Sequence, residues 1–159
     1  IARAYNRILD ASRFGSVVLV HDDVQLYDGA RKAIVEALEH AAVVGAIGSC
    51  NPTSLAWWES PVKRGTVGES RGTIAFGEPG PVDTVDGLLI ALNVGLRFDE
   101  EYDGFHGYDA DICAQAREKG LTVAVAPIPP FHHTKGGYGD VGAYEAANAR
   151  WQDKWGVKV

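Results

Sequence analysis

The chain contains no methionine and only two cysteines among its 159 residues. Cys50 and Cys113 lie far apart in apolar contexts, so we predict two reduced, buried thiols rather than a disulfide framework or a zinc cluster. The first residue, Ile1, already lies inside a pattern typical of a helix. Together with the missing methionine, this leads us to expect that the sequence is a segment of a longer polypeptide.

Long apolar runs and a surplus of basic residues are also missing. No stretch has the length and apolarity of a membrane span, and no signal-peptide pattern opens the chain. The net charge of −6 argues against a dedicated nucleic-acid binder, because such proteins are normally basic. We therefore predict a single cytoplasmic domain over residues 1–159, with no membrane span and no nucleic-acid partner.

The apolar pattern predicts helices that alternate with strands. Helical spacing marks residues 2–11, 28–40, about 109–119 and roughly 141–155. Apolar runs typical of strands cover residues 17–20, 43–48 and 121–126, and residues 82–92 read as a strand pair interrupted at Asp86 and Gly87. The region between residues 49 and 81 is rich in glycine, proline and serine, with short candidate strands at 65–67 and 73–76. Strand, helix and strand in succession predict a right-handed parallel crossover, and hence an α/β fold.

A polar cluster follows the first predicted strand. Residues 17–20 read as a strand buried on both faces, and His21, Asp22 and Asp23 come directly after it. Ligands of open α/β sheets bind at the carboxyl ends of the strands. Carboxylates suit a hard divalent cation, and Mn²⁺ also accepts imidazole. A polar turn with Asp23 or Asp28 capping the next helix fits the pattern equally well.

Two further acids are candidate site residues. Asp86 stands among apolar residues, and because burying a bare carboxylate is costly, we predict that it faces a substrate. Asp109 begins the buried stripe of the third predicted helix, at the end that can point into a crevice. Favourable charge near the helix N-terminus is the alternative explanation for Asp109. It is the explanation that we expect for Asp111, on another face.

Aromatic and histidine pairs leave two interpretations open. Trp57 and Trp58 suit either a sugar-stacking platform or a core plug beneath the long loop, and burial of large aromatics favours the plug. His132 and His133 precede a glycine-rich turn. They are candidate ligands on a flexible lid, or simply surface residues.

Four motifs occur in order along the chain: the segment 21–24, the segment 85–87, residues 98–100 together with 107–113, and the segment 133–137. Together they resemble family 2 glycosyltransferases of the GT-A fold. The resemblance runs from about Ala4 to Trp155 and is closest to the branch whose metal motif begins with histidine. It implies an α/β fold of the GT-A type, with a mixed, mostly parallel sheet flanked by helices and here only part of the domain.

The resemblance implies a metal site of Mn²⁺ or Mg²⁺. Asp23 matches the last acid of the Asp-x-Asp motif, which holds the cation against the donor diphosphate, and His21 replaces the first acid. His133 matches the late histidine that completes metal and diphosphate binding, with His132 as a close rival.

The resemblance also implies the catalytic and substrate-binding residues. Asp109 matches the catalytic base, and Asp86 and Gly87 match the segment that lines the sugar and acceptor pocket. Tyr108 stands where relatives usually carry glutamate, and Gln115 where arginine is common. The expected donor and acceptor contacts are Asp22, Trp57, Trp58, Asp86, Gly87 and Tyr108.

A metal-dependent, inverting glycosyltransferase is therefore the leading hypothesis. It would move a sugar from a nucleotide-sugar donor to a hydroxyl of a carbohydrate or other acceptor, with polysaccharide biosynthesis as the expected setting. A non-catalytic carbohydrate- or nucleotide-binding module is the alternative. A metal-dependent hydrolase is a third possibility, since a metal between Asp23 and His133 can activate water.

Overall fold

The computed structural model describes residues 1–134 and 139–157. The glycine-rich part of the late histidine motif, residues 135–137, lies outside these described residues. The elements in chain order are α1 (Ala2–Ala11), β1 (Ser16–Val20), β2 (Val24–Gln25), α2 (Ala30–Leu38), β3 (Val43–Gly45), β4 (Ile47–Cys50), β5 (Val62–Glu69), β6 (Gly72–Gly77), β7 (Gly80–Val82), β8 (Thr84–Val85), β9 (Leu89–Asn93), α3 (Tyr108–Glu118), β10 (Val123–Val125), β11 (Phe131–His132) and α4 (Val141–Trp155).

Two sheets organise these elements. The first has the strand order β1-β9-β3-β10-β7, and the second has the order β2-β11-β5-β4-β8, with β6 paired to β5. Strand β9 pairs antiparallel with both β1 and β3, so β1 and β3 run parallel to each other on either side of it. The crossover through α2 is thus parallel as predicted, but its two strands are not neighbours.

The first sheet forms the middle layer of the core, as the side-chain alternation of β9 shows. Ile90 and Leu92 pack with α1, α3 and α4, whereas Leu89 and Ala91 pack on the opposite face with α2. All four side chains are fully buried. Because β9 is covered on both faces, its sequence is a continuous apolar run rather than an alternating one.

The α/β class is confirmed, but the prediction of a mostly parallel sheet is wrong. Only β3 with β10 and β5 with β11 are parallel, two of the nine described strand pairings. The insertion of β9 between β1 and β3 causes the difference, because it replaces one parallel neighbour relation by two antiparallel ones. Antiparallel hairpins such as β5 with β6 add the rest.

Two predicted strands differ in detail. The predicted strand 43–48 divides at Ala46, where the chain leaves the first sheet for the second. Gly48 permits the close pairing of β4 with β8, because a Cβ there would lie 2.1 Å from the Thr84 carbonyl oxygen. Strand β1 is not buried on both faces: Leu19 is buried, but Val18 is 42% exposed and borders a hollow beside α2.

The helices largely follow their predictions. Both α1 and α4 have the predicted bounds, while α2 begins at Ala30, two residues later than expected. Both thiols are free as predicted, with Cys113 buried and Cys50 partly exposed. Within the described residues, no helix combines the length and the apolar composition that a membrane span requires.

Candidate active site

A cavity of about 450 Å³ opens between the end of β1, the start of α3 and the β5–β6 hairpin. It brings together side chains that the sequence analysis selected from separate motifs. The predicted residues that line it are His21, Trp57, Trp58, Asp86, Gly87, Tyr108 and Asp109, and His132 joins them. Asp22 is exposed and does not line it, and neither do Asp23 or His133.

Asp109 lies in the first turn of α3, held by backbone donors. Its Oδ2 accepts the Gly87 N–H at 3.0 Å, and its Oδ1 accepts the Ala110 N–H at 2.9 Å. Two glycines make room for this arrangement. Gly107 begins the helix with φ of 83° in the left-handed region, and a Cβ at Gly87 would lie 2.1 Å from the Tyr108 hydroxyl.

The environment of Asp109 shifts its titration. Burial, and after it the Asp86 charge, raise the pKa of Asp109, the hydrogen bonds from Ala110 and Gly87 lower it, and the net pKa is about 7. The carboxyl group therefore exchanges its proton in the neutral range. A pKa in this range is well suited to a general base.

This shift predicts a pH-dependent stability. Because the folded-state pKa lies above the unfolded value, the native carboxyl keeps a proton that the unfolded chain has lost, and stability falls as pH rises from about 4 to about 7. Between pH 5 and pH 8 the Asp109 contribution should fall by about 2–3 kcal/mol. Urea unfolding of the native chain and of Asp109→Asn across this range measures it. Parallel curves for the two proteins would contradict the shifted pKa.

Asp86 is anchored by two donors at the back of the cavity. The Trp57 indole N–H donates to Oδ2 at 2.7 Å, and the Leu88 N–H donates to Oδ1 at 2.9 Å. Trp57 is 6% exposed and packs edge-on against Trp58 and Phe76. Trp57 is thus buried as the plug interpretation requires, whereas Trp58 is partly exposed and borders the cavity.

A buried phenol connects the end of β1 to the Gly87 turn. The Tyr108 hydroxyl lies 2.8 Å from His21 Nε2 and donates to the Gly87 carbonyl oxygen at 3.4 Å. Burial, then the Asp109 charge, raises the pKa of Tyr108, so the phenol stays neutral. Tyr108 therefore contributes a neutral hydroxyl to the cavity beside Asp109.

The structure brings His132 rather than His133 to Asp23. His132 Nε2 lies 3.3 Å from Asp23 Oδ2. The His133 ring is exposed, lies 3.4 Å from Gln25 Oε1 and packs on Phe131, and only its backbone N–H contacts Asp23, at the carbonyl oxygen. Within residues 1–134 and 139–157, no group of three or more His, Cys, Asp and Glu side chains is arranged to hold a metal. The metal site of His21, Asp23 and His133 remains a prediction.

The sequence analysis missed the role of Asp111. We expected only a charge near the helix start, but Asp111 is completely buried beneath α4. Its carboxylate accepts hydrogen bonds from Gln115 at 2.7 Å, Lys154 at 2.8 Å and Trp155 at 2.9 Å. Periodicity distinguishes the faces of α3 but does not say which of them α4 will cover. This cluster fixes the first turn of α3, which also carries Asp109.

The relationship to known proteins agrees with the mixed α/β architecture. Residues 1–150 match the sequence profile of a glycosyltransferase-like family, and the chain belongs to this family. The resemblance seen in the sequence is thereby confirmed, and the mixed α/β architecture is consistent with part of a GT-A-like domain.

A relative is the streptomycin biosynthesis protein StrF of Streptomyces griseus. It is 28% identical over 163 aligned residues, which cover 93% of this chain and 58% of StrF. The chain therefore spans less than two thirds of the length of this curated relative.

Proposed function

We propose that the protein transfers a sugar from a nucleoside-diphosphate sugar to an acceptor hydroxyl, with inversion at the anomeric carbon. The position of Asp109 carries this proposal. Its carboxylate is fixed by two backbone N–H groups, has a pKa of about 7 and faces a cavity that can hold a sugar ring. Membership of the glycosyltransferase-like family supports the same reaction class.

In this proposal Asp109 is the general base. It takes the proton of the acceptor hydroxyl while that oxygen forms a bond with the anomeric carbon. The bond between the anomeric carbon and the diphosphate oxygen breaks, and the electron pair leaves with the nucleoside diphosphate. Attack from the face opposite the leaving group inverts the anomeric centre. The neighbouring charge of Asp86 strengthens the base by raising its pKa.

Asp23 and His132 are the residues that fit a divalent cation best. A carboxylate and an imidazole face each other at 3.3 Å, both partly exposed, which leaves the remaining positions to phosphate oxygens and water. Mn²⁺ or Mg²⁺ bound there would neutralise charge on the departing diphosphate. His21 and His133 belong to the predicted ligand set, although His21 contacts Tyr108 and His133 lies beside Gln25.

Ligand-dependent melting of the complete natural polypeptide tests this function. We expect one of UDP, GDP and TDP, but not CMP, to raise the melting temperature in the presence of Mn²⁺, because a ligand that binds only the native state stabilises it by about 2.7 kcal/mol at a hundredfold excess over Kd. Asp23→Ala should abolish the metal-dependent part of the shift. Asp153→Ala, an exposed acid on α4, is the matched control and should retain it.

The outcomes separate the candidate functions. If no nucleotide stabilises the protein, the nucleotide-sugar reaction is contradicted. If one nucleotide does stabilise the protein, the next measurement is the rate of sugar transfer from the corresponding nucleotide sugars. The name of the StrF relative assigns that protein to streptomycin biosynthesis, so hydroxylated natural products belong in the acceptor panel beside oligosaccharides.

A further inference from the structure

The hydrogen bond from Trp57 orients the Asp86 carboxylate and leaves part of it free to bind a ligand. A carboxylate offers about four lone-pair sites. Two of them are taken by the Trp57 indole and the Leu88 backbone, one on each oxygen. The side chain is partly exposed and lines the cavity. Each oxygen of Asp86 therefore has a lone pair left for a hydroxyl donor.

Trp57 is held in place and cannot release this carboxylate easily. The indole is 6% exposed, with ring centroids 5.3 Å from Phe76 and 6.1 Å from Trp58. Phe76 belongs to β6, so the contact between Trp57 and Phe76 joins the β5–β6 hairpin to the back of the cavity. Rotating the indole away would open this packing and leave a buried N–H without its acceptor, which is costly.

Asp86 also lies beside the base. Gly87, the next residue, donates its N–H to Asp109, and the Asp86 charge acts on that carboxyl group. If Asp109 deprotonates the acceptor at the anomeric centre, the neighbouring carboxylate borders the sugar that is being transferred. A sugar ring presents adjacent hydroxyl donors, which two oriented carboxylate oxygens can accept together.

We propose that Trp57 is a positioning residue that fixes Asp86 as the acceptor for hydroxyl groups of the transferred sugar, and so helps to decide which donor sugar is used. This inference rests on the proposed function. It predicts a loss confined to ligands that carry the sugar, because in this proposal the sugar hydroxyls, and not the nucleoside diphosphate, bind Asp86.

Trp57→Phe tests the proposal, since it keeps an aromatic ring but removes the N–H. The probes are UDP-glucose, GDP-mannose and TDP-glucose with UDP, GDP and TDP, each with Mn²⁺ and the complete natural polypeptide. For the donor that the native protein uses, we expect Kd and KM to rise about 10-fold, with kcat changed less. The Kd of the matching diphosphate should stay within about twofold. Partial unfolding lowers both active fractions equally, so the ratio of the two affinities reports the site.

Trp151→Phe is the matched control. Trp151 is 4% exposed in α4, and its indole N–H has no hydrogen-bond partner among the described residues. Both substitutions remove the same buried indole, but only Trp57→Phe should change the affinity ratio. If the ratio of donor affinity to diphosphate affinity is the same in Trp57→Phe, Trp151→Phe and the native protein, this proposal is overturned. The proposed transferase function would not be affected by that result.

Asp86→Asn keeps the test decisive if Trp57→Phe does not fold. Asp86→Asn should weaken binding of the sugar donor and leave binding of the diphosphate unchanged. The double variant with Trp57→Phe should bind the donor less than about twofold more weakly than Asp86→Asn alone, because both changes act through one carboxylate. Full additivity would contradict the coupling. If the native protein binds none of the six probes, the proposed function itself has failed.

Discussion

Asp109→Asn is expected to lower kcat for glycosyl transfer by about 10²–10⁴-fold, the usual contribution of a positioned general base. The nucleotide-sugar Kd should stay within about twofold, because the acceptor proton, rather than the donor, is the partner of Asp109 in the proposed reaction. Initial rates at saturating donor and acceptor, with calorimetric binding of the donor to both proteins, measure this split.

The pH dependence of kcat/KM gives a second test of the role of Asp109. In the native protein, kcat/KM should rise with pH and level off above about 7, as the Asp109 carboxyl loses its proton. In Asp109→Asn that rise should disappear. Glu118→Gln, an exposed acid at the other end of α3, is the control and should retain both the rate and the profile.

Two results would contradict the role of Asp109. An unchanged kcat would remove it from the base position. Equal losses in kcat and donor binding, with a lower melting temperature, would assign it a structural role through its hydrogen bonds to Gly87 and Ala110. Asparagine has one acceptor oxygen, so we expect only about 1 kcal/mol of stability to be lost with one of these bonds.

Asp111→Ala should lower the free energy of unfolding by about 2–4 kcal/mol. The substitution removes a completely buried carboxylate and its three hydrogen bonds from Gln115, Lys154 and Trp155. Breaking a buried ion pair typically costs about 3–5 kcal/mol. The lower value expected here reflects Lys154, which is partly exposed and keeps its contact with Asp99 at 2.8 Å.

Urea unfolding with matched m-values measures this loss. Glu118→Ala removes an acid from the same helix at an exposed position, so it should change stability by no more than about 0.5 kcal/mol. A cost below about 1 kcal/mol for Asp111→Ala would show that the cluster is not what joins α3 to α4.

The helices were predictable because their signals are local. Apolar spacing indicates α1 and the approximate extent of α4, and Gly107 and Gly120 flank α3 in the sequence. The strand order was not predictable, since nothing within residues 16–45 indicates that a strand beginning at Leu89 separates β1 from β3. Strand pairing at such distance depends on the packing of the whole core.

Some residues of the candidate site could likewise be predicted from the sequence, and others could not. Asp86 could be selected because it places a charge among apolar neighbours, and Asp109 because it begins the buried stripe of α3. The choice between His132 and His133 could not be made, because successive side chains of an extended segment point in opposite directions and only the register decides which one meets Asp23. The bond from Trp57 to Asp86 joins residues that are 29 positions apart, and no local pattern reports it.

The place of β9 also determines when this domain can fold on the ribosome. Ser16 pairs with Asn93, 77 residues later, so β1 emerges long before its partner. At ordinary synthesis speeds of 5–20 residues per second, that delay is roughly 4–15 s. During it, β1 and β3 have no central strand to join, and their apolar side chains stay available to chaperones. The first sheet should therefore assemble late: β1, β9 and β3 can join once residues 89–93 have been made, and β10 and β7 can join only after residues 123–125.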